Sequence, residues 1–104
     1  MMTKHNVRPE IEIVWSRKAR FRLREIERYV AADKPEAAAH LTARIVSVVS
    51  ALSKFPYMGR VGAEAGTREL VVGGTPYVVV YEVERRRVIV HTVWHGAQNR
   101  EIHS

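Results

Sequence analysis

The sequence predicts an α+β fold in which an N-terminal strand leads into an antiparallel two-helix hairpin, followed by a three-strand antiparallel meander on which the helices pack. Three observations predict it. Residues 10–15 alternate polar with apolar, residues 16–52 repeat apolar residues three and four apart in two successive runs, and residues 68–94 hold three segments rich in β-branched residues. Helical and strand patterns are thus segregated along the chain, as in α+β architectures.

The first strand is "EIEIVW", where Ile11, Ile13 and Trp15 fall on one face at period 2. Ser16 offers a side-chain oxygen as N-cap, and Ala19, Leu23, Ile26 and Val30 then share one helix face, so a helix is expected from about Ser16 to Ala32. "DKPEAA" restarts the chain. Asp33 or Lys34 can cap a new helix, Pro35 is tolerated in a first turn, and Glu36 suits the positive end of the helix dipole. Ala38, Leu41, Ile45, Val48 and Leu52 continue the apolar face of this second helix, which must stop before Pro56. Residues 55–66, "FPYMGRVGAEAG", read as a surface loop because they contain a proline and three glycines. "RELVV", "YVVVYEV" and "RVIVHTVW" follow as strands, the first two separated by "GGTP" and the last two by a tight charged turn at Glu84–Arg86.

At 104 residues the chain suits one domain, and its composition, 46% hydrophobic and 27% charged, is that of an ordinary globular protein. No run approaches the apolar length of a membrane span, and the polar start "MMTKHNVRPE" lacks the apolar core of a secretory signal, so a cytoplasmic protein is expected. The expected organisation is a flexible arm over 1–9, a single domain over 10–100 and a tail over 101–104. The absence of cysteine excludes disulfides and thiolate metal sites. A net charge of +6 favours an anionic partner: nucleic acid, ribosome or an acidic protein segment.

Candidate functional residues fall in three groups. Arg17, Arg20, Arg24 and Arg28 make the first helix densely cationic on its solvent side; that side is either a binding face for a phosphate backbone or an acidic protein, or a solvated face offset by Glu25 and Glu27. Arg60 in the loop and Arg68 at the head of a strand are expected to converge on one mouth of the sheet, where guanidinium groups suit a phosphate; the alternative is simple exposure. Tyr77 and Tyr81 share a strand face and read as core residues with bonded hydroxyls. His91 and His95 in "VIVHTVWHGAQNR" are four apart; on a regular strand they share a face but lie about 13 Å from each other, too far to bind one metal. His91, in mid-strand, reads as structural, whereas His95 stands at a strand end ahead of Gly96, where an imidazole can act as general acid or base. No HExxH, P-loop, GxGxxG or GxSxG motif occurs, so no metal and no cofactor is expected.

Over roughly residues 10–100 the chain resembles the RelE/ParE superfamily of bacterial type II toxin-antitoxin toxins. The resemblance rests on "FPYMGRVG", "TRELVVGGTPYVVVYEV" and "VIVHTVWHGAQNR", in that order, after a strand and a helical hairpin. It implies a toxin that inhibits growth when free, of the kind found in plasmid stabilization systems, and a cognate antitoxin that neutralises it in a hetero-oligomer. Two mechanisms are implied by its branches. ParE-like members bind and trap DNA gyrase; RelE-like members are metal-independent endoribonucleases that cut mRNA in the ribosome. Arg60 and Arg68 fall in the widely shared "GR" and "TREL" motifs, and His95 falls where some nucleases place a catalytic residue, so these three are the catalytic candidates under the nuclease reading. Tyr77 stands where RelE-like nucleases tend to carry Arg, and the tail "GAQNREIHS" lacks a terminal Tyr. Those two departures favour the ParE-like branch, with Arg17, Arg20, Arg24 and Arg28 as antitoxin- or target-binding residues. An mRNA interferase and an inactive homologue that keeps only antitoxin binding are the alternatives.

Overall fold

The computed structural model describes residues 11–96; the arm expected over 1–9 and the tail expected over 101–104 lie outside the described residues. Strand β1 spans Glu12–Trp15, and Ser16 follows it in extended conformation, φ −65° and ψ 164°. The Ser16 Oγ accepts a hydrogen bond from Ala19 N at 3.0 Å and so caps helix α1, Arg17–Ala31. The same hydroxyl donates to the carbonyl of His91 at 3.0 Å, and Ser16 N donates to Val90 O at 3.0 Å. One residue therefore ends a strand, starts a helix and ties both to the last strand.

Helix α1 buries Ala19 completely and packs Leu23 and Ile26 against the core, as their shared face predicts. A short link turns the chain into α2, Pro35–Ser50, whose N-cap Lys34 contributes no side-chain bond; the entry rests on Pro35, which lacks the N–H that a first turn leaves unpaired. Ala38, Ile45 and Val49 are buried along α2, and a 3-10 turn, Ala51–Ser53, carries Leu52 into the same core before Pro56.

The strands that follow are β2, Arg60–Val61; β3, Thr67–Val71; β4, Tyr77–Val83; and β5, Arg87–His95. They form one five-stranded mixed sheet in the order β1-β5-β4-β3-β2, antiparallel throughout except that β1 runs parallel to β5. The α+β class, the hairpin and the meander agree with the sequence reading. Two details differ. Residues 60–61, expected within a loop, pair with β3, because two residues are too few to show a period yet enough for one ladder step. The meander is thereby extended at one edge by β2 and at the other by β1. A parallel pair needs a long crossover, and everything from α1 to β4 supplies it for β1 and β5.

The helix side of the sheet carries Tyr77, Val79 and Tyr81 from β4 with Val88, Val90 and Val93 from β5, all in the core cluster. The step from Val90 to Val93 breaks strict alternation. Val80 pairs with Thr92 but Tyr81 pairs with Val90, so His91 is the extra residue of a β-bulge. The bulge sends His91 and His95 to opposite faces, in place of the shared face that a regular strand gives. His91 Nε2 lies 2.9 Å from Glu82 Oε1 on the side away from the core, while the His95 ring meets Tyr77 edge-on at 5.4 Å on the helix side.

Candidate functional site

Three surfaces hold the residues singled out from the sequence. The first is the end of the sheet where β2, β3 and the preceding loop meet. Register places Arg60 opposite Glu69, and Val61 opposite Arg68, so the two arginines leave opposite faces of the sheet and do not converge. Arg60 binds Glu69 Oε1 through Nε at 3.3 Å and Nη2 at 3.1 Å, and Ala63 N donates to the other Glu69 oxygen. Glu69 is buried, so its partner neutralises a carboxylate that would otherwise be costly to enclose. Arg68 donates through Nη1 to Gly59 O at 2.7 Å and Tyr57 O at 3.3 Å, and its guanidinium lies 5.0 Å from the centre of the Tyr57 ring.

The same loop is held from beneath by Tyr81. Its fully buried hydroxyl donates to Pro56 O at 2.7 Å and accepts from Gly59 N at 2.9 Å. A Cβ on Gly59 would stand 2.7 Å from that hydroxyl and 2.8 Å from Glu69 O, which explains glycine there by close approach rather than by backbone angle. Burial raises the Tyr81 pKa above the ordinary 10.0, against the lowering effect of the Gly59 N–H and the nearby Arg68.

The second surface is the solvent side of α1. Arg17, Arg20, Arg24 and Arg28 are all exposed there, and none of them has an ion pair among the described residues. Glu25, one of the two acids expected to offset them, pairs with Arg22 at 3.3 Å instead.

The third surface is an open groove of about 540 Å³ between α1 and the ends of β4 and β5. Arg22, Ile26 and Tyr29 line it from α1, and Tyr77, Trp94 and His95 from the sheet. Burial, with a smaller contribution from neighbouring Tyr29, raises the Tyr77 pKa above 10.0, so its phenol is neutral at ordinary pH and is no general base. Chemically the groove offers aromatic walls, one imidazole and the Arg22–Glu25 ion pair, which suits docking of a mixed apolar and polar surface. His95 is level with Tyr77, whereas Arg68 is level with Tyr81, four residues along and two strands over, or roughly 13 Å by 10 Å. The three nuclease candidates therefore occupy separate places. Sequence reasoning missed Tyr29 and Trp94 as groove residues; the available signal was that Tyr29 stands two helical turns after Arg22 and beside Ile26, on the flank of the apolar stripe.

Among the described residues no cluster of three or more His, Asp or Glu side chains is arranged to hold a metal ion, and no helix is long and apolar enough to cross a membrane.

The helical hairpin on a small five-stranded mixed sheet, with a basic helix and an aromatic groove at its surface, defines a compact α+β class of protein. The family model for the ParE toxin of type II toxin-antitoxin systems, parDE, matches residues 13–100, and the chain belongs to that family. It is 43% identical over 86 residues, 83% of this chain and 88% of the relative, to a Sinorhizobium fredii protein named "Putative toxin Y4kP". Its fold is similar to that of a chain from the chromosomal ParDE TA system of P. aeruginosa, with a TM-score of 0.76 at 22% identity, covering 83% of this chain and 96% of the other.

Proposed function

We propose that the chain is a cytoplasmic growth-inhibiting toxin that acts by binding and trapping an essential target such as DNA gyrase, and that a cognate antitoxin silences it in a hetero-oligomer. Family membership supports the toxin and antitoxin frame. One observation carries the choice of binding over RNA cleavage: Arg60, Arg68 and His95 are not assembled. Arg60 is committed to Glu69, Arg68 is committed to the carbonyls of Tyr57 and Gly59, and His95 sits two strands from Arg68. Metal-free cleavage of RNA needs a base, an acid and phosphate-stabilising cations within reach of one phosphodiester.

The antitoxin expected here has an acidic segment that folds on binding, with carboxylates against Arg17, Arg20, Arg24 and Arg28 and apolar side chains in the adjoining groove. Such coupled folding suits a groove that is open at one side and walled by aromatics.

The test is induced expression of the wild-type chain and of His95→Ala, scored for growth arrest, DNA-damage response and mRNA decay, with purified gyrase assayed for supercoiling. The expected result is inhibited gyrase, with arrest preserved in the variant. A fall in toxicity of about a hundredfold or more, the usual weight of a general acid or base, in a variant that still folds and binds antitoxin would transfer the assignment to mRNA cleavage.

A further inference from the structure

The sheet has two open edges, and they differ in how well they are protected. β2 is only two residues long and carries the charged Arg60. Shortness and a charge are two of the means by which edge strands avoid pairing with another chain. β1 has neither a bulge nor any Lys, Arg or Pro over residues 11–15, and it keeps a regular register with β5. The orientation of its backbone follows from two bonds: Glu12 N donates to Arg86 O at 3.1 Å, and Ser16 N donates to Val90 O at 3.0 Å. In a parallel ladder alternate residues turn their N–H and C=O to the neighbour, so Glu12, Val14 and Ser16 face β5 while Ile11, Ile13 and Trp15 turn theirs to the open edge. Among the described residues no strand pairs with β1 on that side, and no turn or loop backbone bonds to these three.

We infer that β1 pairs antiparallel with β1 of a second copy of this chain, about a twofold axis through Ile13, so that two five-stranded sheets join edge to edge. The sequence of the strand is what selects a second copy as the occupant. With the axis at Ile13, Ile13 stands opposite Ile13 of the second copy and Ile11 stands opposite Trp15 of the second copy. Every residue that turns its backbone outward then meets another that does the same, and each such pair exchanges N–H to O bonds in both directions. Ile11, Ile13 and Trp15 also pack toward the helix side, so Ile11 and Trp15 form a β-branched and aromatic pair across the joint, a favourable cross-strand combination. Neighbouring registers are worse. An axis at Glu12 sets the two carboxylates directly opposite each other, and an axis at Val14 sets Ile11 against Arg17, which is already helical. In the Ile13 register Glu12 faces Val14 of the second copy. The two Glu12 carboxylates are then diagonal, roughly 7–8 Å apart, each beside Arg86 of its own chain. What opposes the pairing is the net charge of +6 on each copy, which salt screens.

The experiment follows the mass of the full-length chain by analytical ultracentrifugation in about 0.5 M salt, where repulsion between the copies is largely screened. The expected result is a monomer that becomes a dimer between about 1 and 100 µM, the affinity of a small interface. Ile13→Pro removes an N–H that the monomer does not use and is expected to move that midpoint up roughly tenfold or more, since proline is tolerated on an edge strand whose N–H faces solvent. The chain has no cysteine, so Ile13→Cys adds a single thiol at the axis. Facing residues of a hydrogen-bonded pair lie about 5.5 Å apart at Cα, within disulfide reach, and mild oxidation is expected to give a covalent dimer. Val61→Cys, on the opposite edge and 75% exposed, is expected to stay mostly monomeric under the same conditions. If Ile13→Pro does not fold, the two cysteine variants carry the comparison. A chain that stays monomeric over the whole range overturns the inference, as does equal cross-linking of the two cysteine variants. So does a folded Ile13→Pro chain that dimerises like the wild type. A monomeric chain whose Ile13→Pro variant loses antitoxin affinity also overturns it and gives the edge to a strand of the antitoxin.

Discussion

Tyr81 illustrates how one side chain links core and surface. Its ring is fully buried in the core, while its hydroxyl is the donor to Pro56 O and the acceptor for Gly59 N. Tyr81→Phe keeps the ring and strands both backbone groups, so it is expected to cost roughly 1–3 kcal/mol, the penalty of a buried group left unpaired. Thermal melting is the check, at about 4–8 °C for each kcal/mol in a domain of this size. The same residue sets a pH dependence. Burial holds the folded phenol above its ordinary value of 10.0, so the unfolded chain ionises first. Stability is therefore complete below that value and is lost as pH rises through the folded pKa. Tyr81→Phe is expected to lose less stability between about pH 9 and pH 11 than the wild type does, with Tyr77 supplying the remaining loss. Equal alkaline losses in the two proteins, followed by urea titration, would remove Tyr81 from this account.

Among the elements, α1 depends on a residue that belongs to none of them. Ser16 accepts from Ala19 N and donates to His91 O, capping the helix and pinning it to the bulge in β5. Ser16→Ala is expected to cost about 1–2 kcal/mol in urea unfolding, and Ser16→Asp to recover only part of it, since a carboxylate still caps but cannot donate to a carbonyl. Full recovery by Asp would show that the tie to β5 contributes nothing. The cap itself was legible, because Ser before an apolar period of three and four is a local signal. Both helices and all three strands of the meander were legible for the same reason. The bulge at His91 was not: it depends on how β4 and β5 align, and no glycine marks it. Nor was β2, whose register sends Arg60 and Arg68 apart, because two residues carry no period and the pairing is set by the turn that follows. So the strand-end position of His95 could be read along the chain, while the dispersal of its supposed partners required the sheet.

At the scale of the whole molecule, the net charge of +6 is unevenly used. Arg60, Arg22 and Arg87 face carboxylates, and Arg68 serves as a hydrogen-bond donor within the fold, whereas the stripe on α1 has no such employment among the described residues. Exposed ion pairs such as Arg22–Glu25 contribute little to stability, so evolution toward a stable monomer does not require this excess of cations. A long-range role in steering an acidic partner does. Reversing two members of the stripe, Arg20→Glu with Arg24→Glu, lowers the net charge from +6 by four while leaving every buried contact in place. The expected consequence is an antitoxin association rate that falls about tenfold or more at low ionic strength, where steering operates over a long screening length. In about 1 M salt, where that length shrinks to about 3 Å, wild type and variant should converge, because what remains is contact chemistry in the groove. Stopped-flow association across a salt series reads both limits. A variant whose rate and salt dependence match the wild type would assign the α1 arginines to solvent and leave the groove alone to hold the antitoxin.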